Sequence, residues 1–409
     1  MSLANNIEFL RRLPKLNGIN GLSGLTRGFH RGGASSRLVE TVGFGSNPGD
    51  LKMFSYQPDD QRARQKSALV VVLHGCAQTA AAYDTGAGWS TLAERYGFAL
   101  LMPQQKASNN ANGCFNWFSP EDIVRDGGEA FSIRQMIARM ERDHSIDPDR
   151  IFVTGLSAGG AMTSVMLATY PEIFAGGAII AGLPYGIATN LQQALSGMYQ
   201  SASRPAGELG DLVRNASSHK GPWPKVSVWH GSADRTVNPS NADQIVKQWL
   251  DVHRLPPAPM SQSTVDGHPR ALWWNADGET VIESYSIADM AHGTPLAIAD
   301  NDEPYGVEGA FMIEAGISSS YHIASFFGLT DRLHQPSAAS KPVEAAAASA
   351  TITVAPAAFP PPPAPVLNPV PWPIAVSPAY AKSRQPPRRP PIDVGAVITR
   401  ALTAAGLMK

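Results

Sequence analysis

Short apolar runs alternate with longer amphipathic stretches between residues 37 and 330. Five of the runs are continuous in apolar residues and end in Gly or Pro, and they occupy residues 68–75, 98–103, 150–155, 176–182 and 225–231. Stretches of helical character lie between them, at residues 90–96, 127–143, 158–170 and 241–253. Two further strands are predicted at residues 271–275 and 281–287. Because a continuous apolar run is typical of a parallel strand covered on both faces, the alternation predicts an α/β protein with a mostly parallel, doubly wound sheet.

Three other regions define the domain organisation. Residues 1–36 form an N-terminal appendage with a Gly-rich second half, and residues 185–224 interrupt the α/β pattern as a lid or insertion. Residues 331–391 contain sixteen prolines and no glycine, which predicts a disordered Ala- and Pro-rich linker. Apolar residues then recur at spacings of three and four in residues 392–409, which predicts a short amphipathic helix.

Charge and composition exclude several classes of protein. The 33 Lys and Arg and the 34 Asp and Glu leave a net charge of −1, so no chain-wide basic surface for nucleic acid is expected. This balance is the sum of −6 over residues 1–335 and +5 over residues 336–409. No uncharged apolar run reaches the roughly 18 residues that a membrane-spanning helix needs, and the common nucleotide- and metal-binding motifs are missing. We therefore expect no membrane span, no metal and no cofactor.

The most informative motif is Gly155-Leu156-Ser157-Ala158-Gly159, a G-x-S-x-G pentapeptide. A predicted strand leads into it and a predicted helix follows, which is the setting in which a sharp turn exposes a nucleophilic serine above an α/β sheet. Glycines are needed on both sides because a β-carbon there would collide with the neighbouring strand and helix. Ser157 is therefore the candidate nucleophile, and the alternative is a serine that only caps the helix.

A serine hydroxyl needs a base and an orienting acid, which in this setting follow it in the order Ser, acid, His. Asp234 comes just after a predicted strand, at the sheet edge where such sites form, and is the candidate acid. The alternatives are that Asp234 caps the next helix or that Asp289 is the acid. His292 lies in a short Gly/Pro loop after the last predicted strand and is the candidate base. The alternatives to His292 are three other histidines that follow Asp234: His253, His268 and His322.

A tetrahedral intermediate at the serine needs two backbone donors for its oxyanion. One candidate is the N–H of Ala158, directly after the nucleophile. The other is the N–H of Cys76, in the loop that follows the first apolar run; the alternative is that this His-Gly sequence is only a turn. His74 and His230, which each precede a glycine at a strand end, are expected to support loops.

An ordered set of five motifs resembles one known family. The motifs read LHGCAQTAAAYD, GCFNWF, GLSAGGAMT, HGSAD and AHGTP, and the resemblance around them covers residues 40–328. They resemble the poly(3-hydroxybutyrate) depolymerase family of serine esterases, which is itself similar to acetylxylan and feruloyl esterases. The resemblance implies an α/β-hydrolase fold and an extracellular enzyme that acts on a polyester or an acylated polysaccharide. It also implies a catalytic triad and an oxyanion hole made by Ser157, Asp234, His292, Cys76 and Ala158.

The two cysteines bear on the compartment. Cys76 and Cys114 both fall within motifs of the family, and we hypothesise that they form a disulfide beside the oxyanion loop. Two free thiols are the alternative, because no apolar secretory segment with a small-residue cleavage site is visible. The same observation leaves a cytoplasmic protein as the alternative to an extracellular one.

Two aromatic residues follow Cys114 in the GCFNWF motif. Trp117 and Phe118 are candidates for an aromatic wall that contacts an acyl chain or a sugar, and ordinary core packing is the alternative.

The motifs together favour a serine ester hydrolase that cleaves poly- or oligo-(3-hydroxybutyrate)-type esters through an acyl-enzyme. A carbohydrate esterase of the acetylxylan or feruloyl type is the first alternative. A polyester-granule or surface-binding protein, attached through its basic, Pro-rich tail, is the second.

Overall fold

A ten-stranded mixed sheet forms the centre of the fold. The computed structural model describes residues 36–58, 66–200, 203–297 and 305–331. The strands of the sheet, in chain order, are β1 (Val39–Thr41), β2 (Lys52–Tyr56), β3 (Ser67–Leu73), β4 (Ala99–Gln104), β5 (Ile146–Leu156), β6 (Gly176–Ile180), β7 (Lys225–Gly231), β8 (Ser261–Val265), β9 (His268–Trp274) and β10 (Thr280–Ile287). Their order across the sheet is β1-β2-β4-β3-β5-β6-β7-β10-β9-β8, and the central strands from β4 to β10 are parallel. A separate parallel pair consists of β11 (Thr294–Leu296) and β12 (Met312–Glu314).

Helices alternate with the central strands, as the sequence predicts. In chain order they are α1 (Ala80–Ala87), α2 (Trp89–Tyr96), α3 (Pro120–Ile123), α4 (Gly128–Asp143), α5 (Ala158–Thr169), α6 (Leu191–Tyr199), α7 (Ala206–Arg214), α8 (Ser240–His253) and α9 (Ser319–Phe326). The segment 185–224, which interrupts the alternation, contains α6 and α7. The predicted α/β architecture with a mostly parallel sheet is confirmed.

Strand β3 shows why the apolar runs are continuous. Leu69, Val71 and Leu73 point into the core on one face of the sheet. Val70 and Val72 point into a second core on the opposite face. All five side chains are fully buried, so neither face tolerates the polar positions that a half-exposed strand would have.

The direction of winding reverses beside β3. From β3 the chain passes to β4 on one side and then returns to β5 on the other. In an open parallel sheet such a reversal leaves a crevice at the carboxyl ends of the two strands, which is where ligands bind. Here β3 ends at Leu73 and β5 ends at Leu156, so the loops that begin at His74 and Ser157 border this crevice.

The outer strands β1, β2 and β8 were not predicted from the sequence. The residues of β1 and β8 are mostly exposed, and β2 alternates buried and half-buried positions. Edge strands lack one covering neighbour, so they carry no continuous apolar run that would reveal them. The N-terminal appendage, the Pro-rich linker and the predicted C-terminal helix lie outside the described residues, and so does the predicted start of the tail beyond residue 331. Of the helices described, none has the length and apolar character needed to cross a membrane.

Candidate active site

The turn between β5 and α5 holds Ser157 in a strained conformation. Its φ of 57° and ψ of −116° lie in a region that non-glycine residues rarely adopt. Two hydrogen bonds fix the turn: Ser157 N–H donates to Ile180 O at 2.9 Å, and Ala161 N–H donates to Ser157 O at 2.8 Å. The residue is half-buried rather than enclosed. This is the strand–turn–helix geometry in which a serine side chain is presented at the edge of a sheet.

The glycines of the motif are required by close backbone contacts. A β-carbon on Gly159 would lie 2.2 Å from the carbonyl oxygen of Leu73, at the end of β3. A β-carbon on Gly155 would lie 2.5 Å from the carbonyl carbon of Gly159. The turn after β5 therefore packs directly against the end of β3, which brings Ser157 next to the loop that contains Cys76.

Asp234 follows β7, and both of its carboxylate oxygens are hydrogen-bonded. Oδ1 accepts from the backbone N–H groups of Thr236 and Val237 at 2.8 and 2.9 Å. Oδ2 accepts from His292 Nδ1 at 2.7 Å and lies 3.2 Å from His230 Nε2. The structure thus joins two residues that are 58 positions apart in the chain. Of the three predicted triad residues, Asp234 and His292 are in direct contact.

The negative charge of Asp234 determines which ring nitrogen of His292 carries the hydrogen. Burial disfavours the carboxylate, but hydrogen bonds from His230 and His292 outweigh it and hold the pKa of Asp234 well below its usual range. An ionised carboxylate can only accept, so Nδ1 of His292 carries the hydrogen. In the neutral ring Nε2 then has the free lone pair, which is the state that a general base needs.

His230 is a second histidine on the same carboxylate. Its Nε2 also lies 2.9 Å from the carbonyl oxygen of Val237, so this nitrogen faces two acceptors and must carry the hydrogen. Within the described residues its other ring nitrogen, Nδ1, is buried without a partner. His230 therefore supports the loop, as expected from the sequence, and in addition donates to Asp234. The spacing of four residues in the HGSAD motif is the signal that could have revealed this contact.

Close packing also positions the loop that carries His292. A β-carbon on Gly231 would lie 2.3 Å from Met290 O, and Ala233 N–H donates to the same oxygen at 3.0 Å. The turn after β7 and the loop after β10 are thereby held together. This explains why the HGSAD motif has a glycine three residues before its aspartate.

In the described part of the chain, the alternative acid and the three alternative bases form no hydrogen bond with Asp234 or His292. The side chain of Asp289 is exposed in a turn with a left-handed φ of 54°. The three other histidines have partners of their own: His253 contacts Pro224 O, His268 contacts Ala315 O, and His322 contacts Asp266. Burial also lowers the pKa of His253, so this ring at the end of α8 is favoured in its neutral form.

A disulfide joins Cys76 to Cys114 and braces the loop after β3. The neighbouring backbone is also tied down, because Ala77 N–H donates to Asn112 O at 2.8 Å and Gly75 N–H donates to Gln78 Oε1 at 2.8 Å. Among the described residues the N–H of Cys76 has no acceptor. The N–H of Ala158 opens α5 and so has no acceptor within that helix. Both predicted oxyanion donors are therefore available to a ligand.

A buried polar network supports this loop from behind. The loop-supporting role of His74 was expected from the sequence, and the other members of the network were not. Gln105 N–H donates to Nε2 of His74, whose Nδ1 lies 2.8 Å from Gly75 O. The side chain of Gln105 donates to Cys114 O and to the carboxylate of Glu129, which also accepts from Asn116. Burial lowers the pKa of His74 to about 4 and raises that of Glu129 to about 8. The network connects both disulfide-linked loops to the core.

The two aromatic residues of the GCFNWF motif differ in exposure. Trp117 is only 7% exposed and belongs to the core on one face of the sheet, which favours the packing alternative for this side chain. Phe118 is half-buried and meets Trp117 edge-to-face with ring centroids 5.5 Å apart. Phe118 is therefore the member of the pair with surface left for a ligand.

The described residues contain no group of three or more His, Cys, Asp or Glu side chains arranged to hold a metal ion. A cleft of about 1290 Å³ lies at the opposite edge of the sheet, where Lys225 and Thr280 begin their strands and Arg150 lies within β5. Its size does not make it the site of chemistry, because the strained serine and the hydrogen-bonded Asp–His pair are both at the carboxyl edge.

Comparison with known proteins assigns the chain to a family. The family model "Esterase PHB depolymerase" matches residues 53–261. Poly(3-hydroxyalkanoate) depolymerase C of Paucimonas lemoignei is 45% identical over 293 residues, which cover 71% of this chain and 70% of that protein. An acetylxylan esterase of Coprinopsis cinerea is 33% identical over 268 residues, covering 64% of this chain and 70% of that protein.

A solved structure gives the same architecture. The acetyl xylan esterase from Aspergillus awamori aligns with a TM-score of 0.60 and 23% sequence identity, over 72% of this chain and 99% of that one, and this likeness shows the fold. The chain therefore belongs to the Esterase PHB depolymerase family, and it is a carboxylic ester hydrolase with an α/β-hydrolase fold.

Proposed function

We propose that this enzyme hydrolyses poly- or oligo-(3-hydroxybutyrate)-type esters, with Ser157, His292 and Asp234 as its catalytic triad. The observation that carries the proposal is the 2.7 Å hydrogen bond from His292 to Asp234. It lies at the same carboxyl edge of the sheet as the strained turn of Ser157. An acid–base pair and a half-buried serine presented at the same edge are the parts that nucleophilic ester cleavage needs.

In the acylation step, His292 Nε2 takes the proton of Ser157 Oγ as the oxygen attacks the ester carbonyl. The resulting imidazolium is stabilised by the carboxylate of Asp234, which remains ionised. The N–H groups of Cys76 and Ala158 stabilise the oxyanion of the tetrahedral intermediate. His292 then gives its proton to the leaving alcohol, and an acyl-enzyme remains on Ser157.

In the deacylation step, His292 activates a water molecule that attacks the acyl-enzyme. The same two N–H groups stabilise the second oxyanion, and the proton returns to Ser157 as the acid product leaves. Removal of one oxyanion donor costs about 100- to 1000-fold in kcat in enzymes of this type. The disulfide and the hydrogen bond from Ala77 to Asn112 support this step because they hold the Cys76 loop in place.

The proposed substrate class rests on the relatives. The named depolymerase matches at 45% identity and the named acetylxylan esterase at 33%, so the polyester is the first choice. A carbohydrate esterase is the second candidate, because its catalytic parts would be the same. The pocket would then differ in residues 113–118 and 185–224, which are the segments that we expect to shape it.

A comparison of substrates tests the proposal. We expect the purified full-length enzyme to release acid from 3-hydroxybutyrate oligomers at a higher kcat/KM than from acetylated xylan or feruloyl esters. The Ser157→Ala variant supplies the blank and should lose activity on all of them. A preference of the wild type for acetylated xylan would favour the carbohydrate esterase instead.

We also propose that the enzyme acts outside the cell. The Cys76–Cys114 disulfide supports this, because disulfides persist in oxidising compartments. Attachment of the basic tail to a polyester surface is a separate possibility that deletion of residues 336–409 tests. An equal effect of the deletion on soluble and particulate substrate would count against attachment.

A further inference from the structure

A tight turn places Phe311 in a backbone conformation that suits another residue. The turn runs from Gly309 to Met312, and the N–H of Met312 donates to Gly309 O at 3.1 Å. Phe311 is the second central residue of the turn and has a left-handed φ of 62°. Glycine and asparagine are the residues that favour a positive φ at this position, and a bulky aromatic residue there is an outlier.

Burial of the Phe311 ring does not compensate for this backbone strain. Phe311 is 39% exposed, whereas large aromatic residues that serve only the core are buried as completely as Phe115 or Trp229. Backbone strain at a residue whose side chain is exposed near a reactive centre indicates that the residue has a functional role.

The ring of Phe311 lies against the proposed general base. Its centroid is 5.9 Å from that of His292, and the two rings meet at 78°, edge to face. The backbone carbonyl of Phe311 also accepts from Thr294 N–H at 2.8 Å, two residues beyond His292. Phe311 is therefore fixed relative to His292, with part of its ring open to whatever binds there.

The proposed mechanism determines which part of a bound substrate lies beside His292 and Phe311. In acylation His292 donates its proton to the oxygen of the leaving alcohol, so the alcohol portion of the ester lies beside His292 while the acyl portion stays on Ser157. From this we infer that Phe311 forms an apolar contact surface for the alcohol portion of the bound ester and selects apolar over polyhydroxylated alcohols. This inference rests on the proposed function and deepens it.

The inference separates the two substrate classes by their leaving groups. In a 3-hydroxybutyrate polyester the alcohol carbon carries a methyl group and a methylene group, both of which gain from contact with an aromatic face. In acetylated xylan the alcohol belongs to a sugar ring whose neighbouring hydroxyls keep their hydrogen bonds to water and gain little from the same apolar contact. An enzyme that makes one such apolar contact with only one of two substrates discriminates between them by about 10- to 200-fold in kcat/KM.

Two esters with one acyl group test the inference. The first is the butyryl ester of methyl 3-hydroxybutyrate, and the second is a monobutyrylated methyl xyloside. Butyrate release is measured for both, because the first ester also contains a methyl ester bond. Butyrate leaves through the same butyryl-enzyme in each case, so differences in kcat/KM report the alcohol side. We expect Phe311→Gly to lower kcat/KM about tenfold for the first ester and to leave that for the second within twofold.

Controls separate contact with substrate from support of the fold. Phe311→Asn also accepts the left-handed backbone, and it should show the same selectivity as Phe311→Gly. Trp274→Ala removes an aromatic side chain of similar exposure, 36%, at the opposite end of the sheet and should change neither ester.

Two results would overturn the inference. An equal loss on both esters would mean that Phe311 only holds His292 in place, and no loss on either would mean that its ring does not meet the substrate. Failure of the proposed function gives a different result, which is visible without any change at Phe311: the wild type would prefer the xyloside ester, or Ser157→Ala would retain the wild-type activity on both esters.

Discussion

Removal of the Cys76–Cys114 disulfide should destabilise the enzyme by an amount that its loop length sets. The bond closes a loop of 38 residues, and in the chain-entropy model this corresponds to about 13 cal/mol/K, or about 4 kcal/mol at 25 °C. The native geometry should survive its loss, because the backbone bond from Ala77 to Asn112 and the bond from Gln105 to Cys114 O hold the same loops. The effect therefore acts mainly on the unfolded chain.

The double variant Cys76→Ser/Cys114→Ser provides the measurement. For a domain of this size, 4 kcal/mol corresponds to a fall in Tm of about 7 °C, which circular dichroism during heating will detect. Dithiothreitol should lower the Tm of the wild type by a similar amount and leave that of the double variant unchanged. We also expect kcat/KM on a p-nitrophenyl ester to fall, since the Cys76 N–H becomes less well positioned.

A much smaller change in Tm would contradict this prediction. If the double variant unfolds within about 2 °C of the wild type, the loop-closure argument is wrong. The buried network behind the loops would then supply the stability that we assign to the disulfide.

Three further predictions concern the residues around the site. Gly159→Ala should lower the free energy of unfolding by about 3 kcal/mol or more, because its β-carbon would lie 2.2 Å from a backbone oxygen. The control Gly207→Ala has open space around it and should be tolerated. Equal Tm values for the two variants would contradict this prediction. Burial lowers the pKa of His74 from 6.5 to about 4, so the unfolded chain takes up the proton first as the pH falls. The contribution of His74 to the free energy of unfolding in urea should therefore drop by about 3 kcal/mol over that interval. It is measured as the difference between the wild type and His74→Asn, because the raised pKa of Glu129 changes stability in the opposite direction in both proteins; a difference that stays constant with pH would be evidence against a neutral His74. His230→Phe removes a donor to Asp234, and we expect kcat/KM to fall about tenfold while circular dichroism stays unchanged; wild-type kcat/KM would show that the remaining donors suffice.

Features fixed by local sequence were predictable. Strand β3 and the second half of β5 could be recognised because each is covered on both faces and therefore consists largely of buried, mostly apolar residues. The turn at Ser157 could be recognised because only glycine fits the two close approaches around it. Edge strands such as β8, whose residues are largely exposed, carry no such pattern.

Features that depend on contacts between distant segments were not predictable from one sequence. The contact of Glu129 with Asn116 joins the start of a helix to a loop, and nothing in the local spacing of either residue indicates it. Trp117 sits in a motif beside the site, yet its side chain turns into the core. The left-handed conformation of Phe311 has no sequence signature, because phenylalanine ordinarily avoids it.

Covalent trapping at Ser157 is the most direct test of the account. The full-length enzyme is incubated with an alkyl p-nitrophenyl phosphonate, which leaves a stable adduct on an activated serine, and is then measured by intact-protein and peptide mass spectrometry. We predict one adduct per chain, on the peptide that contains Ser157, with complete loss of esterase activity and no adduct on the Ser157→Ala variant. An adduct on another residue, or a Ser157→Ala variant that still hydrolyses the ester at the wild-type rate, would contradict the proposed mechanism.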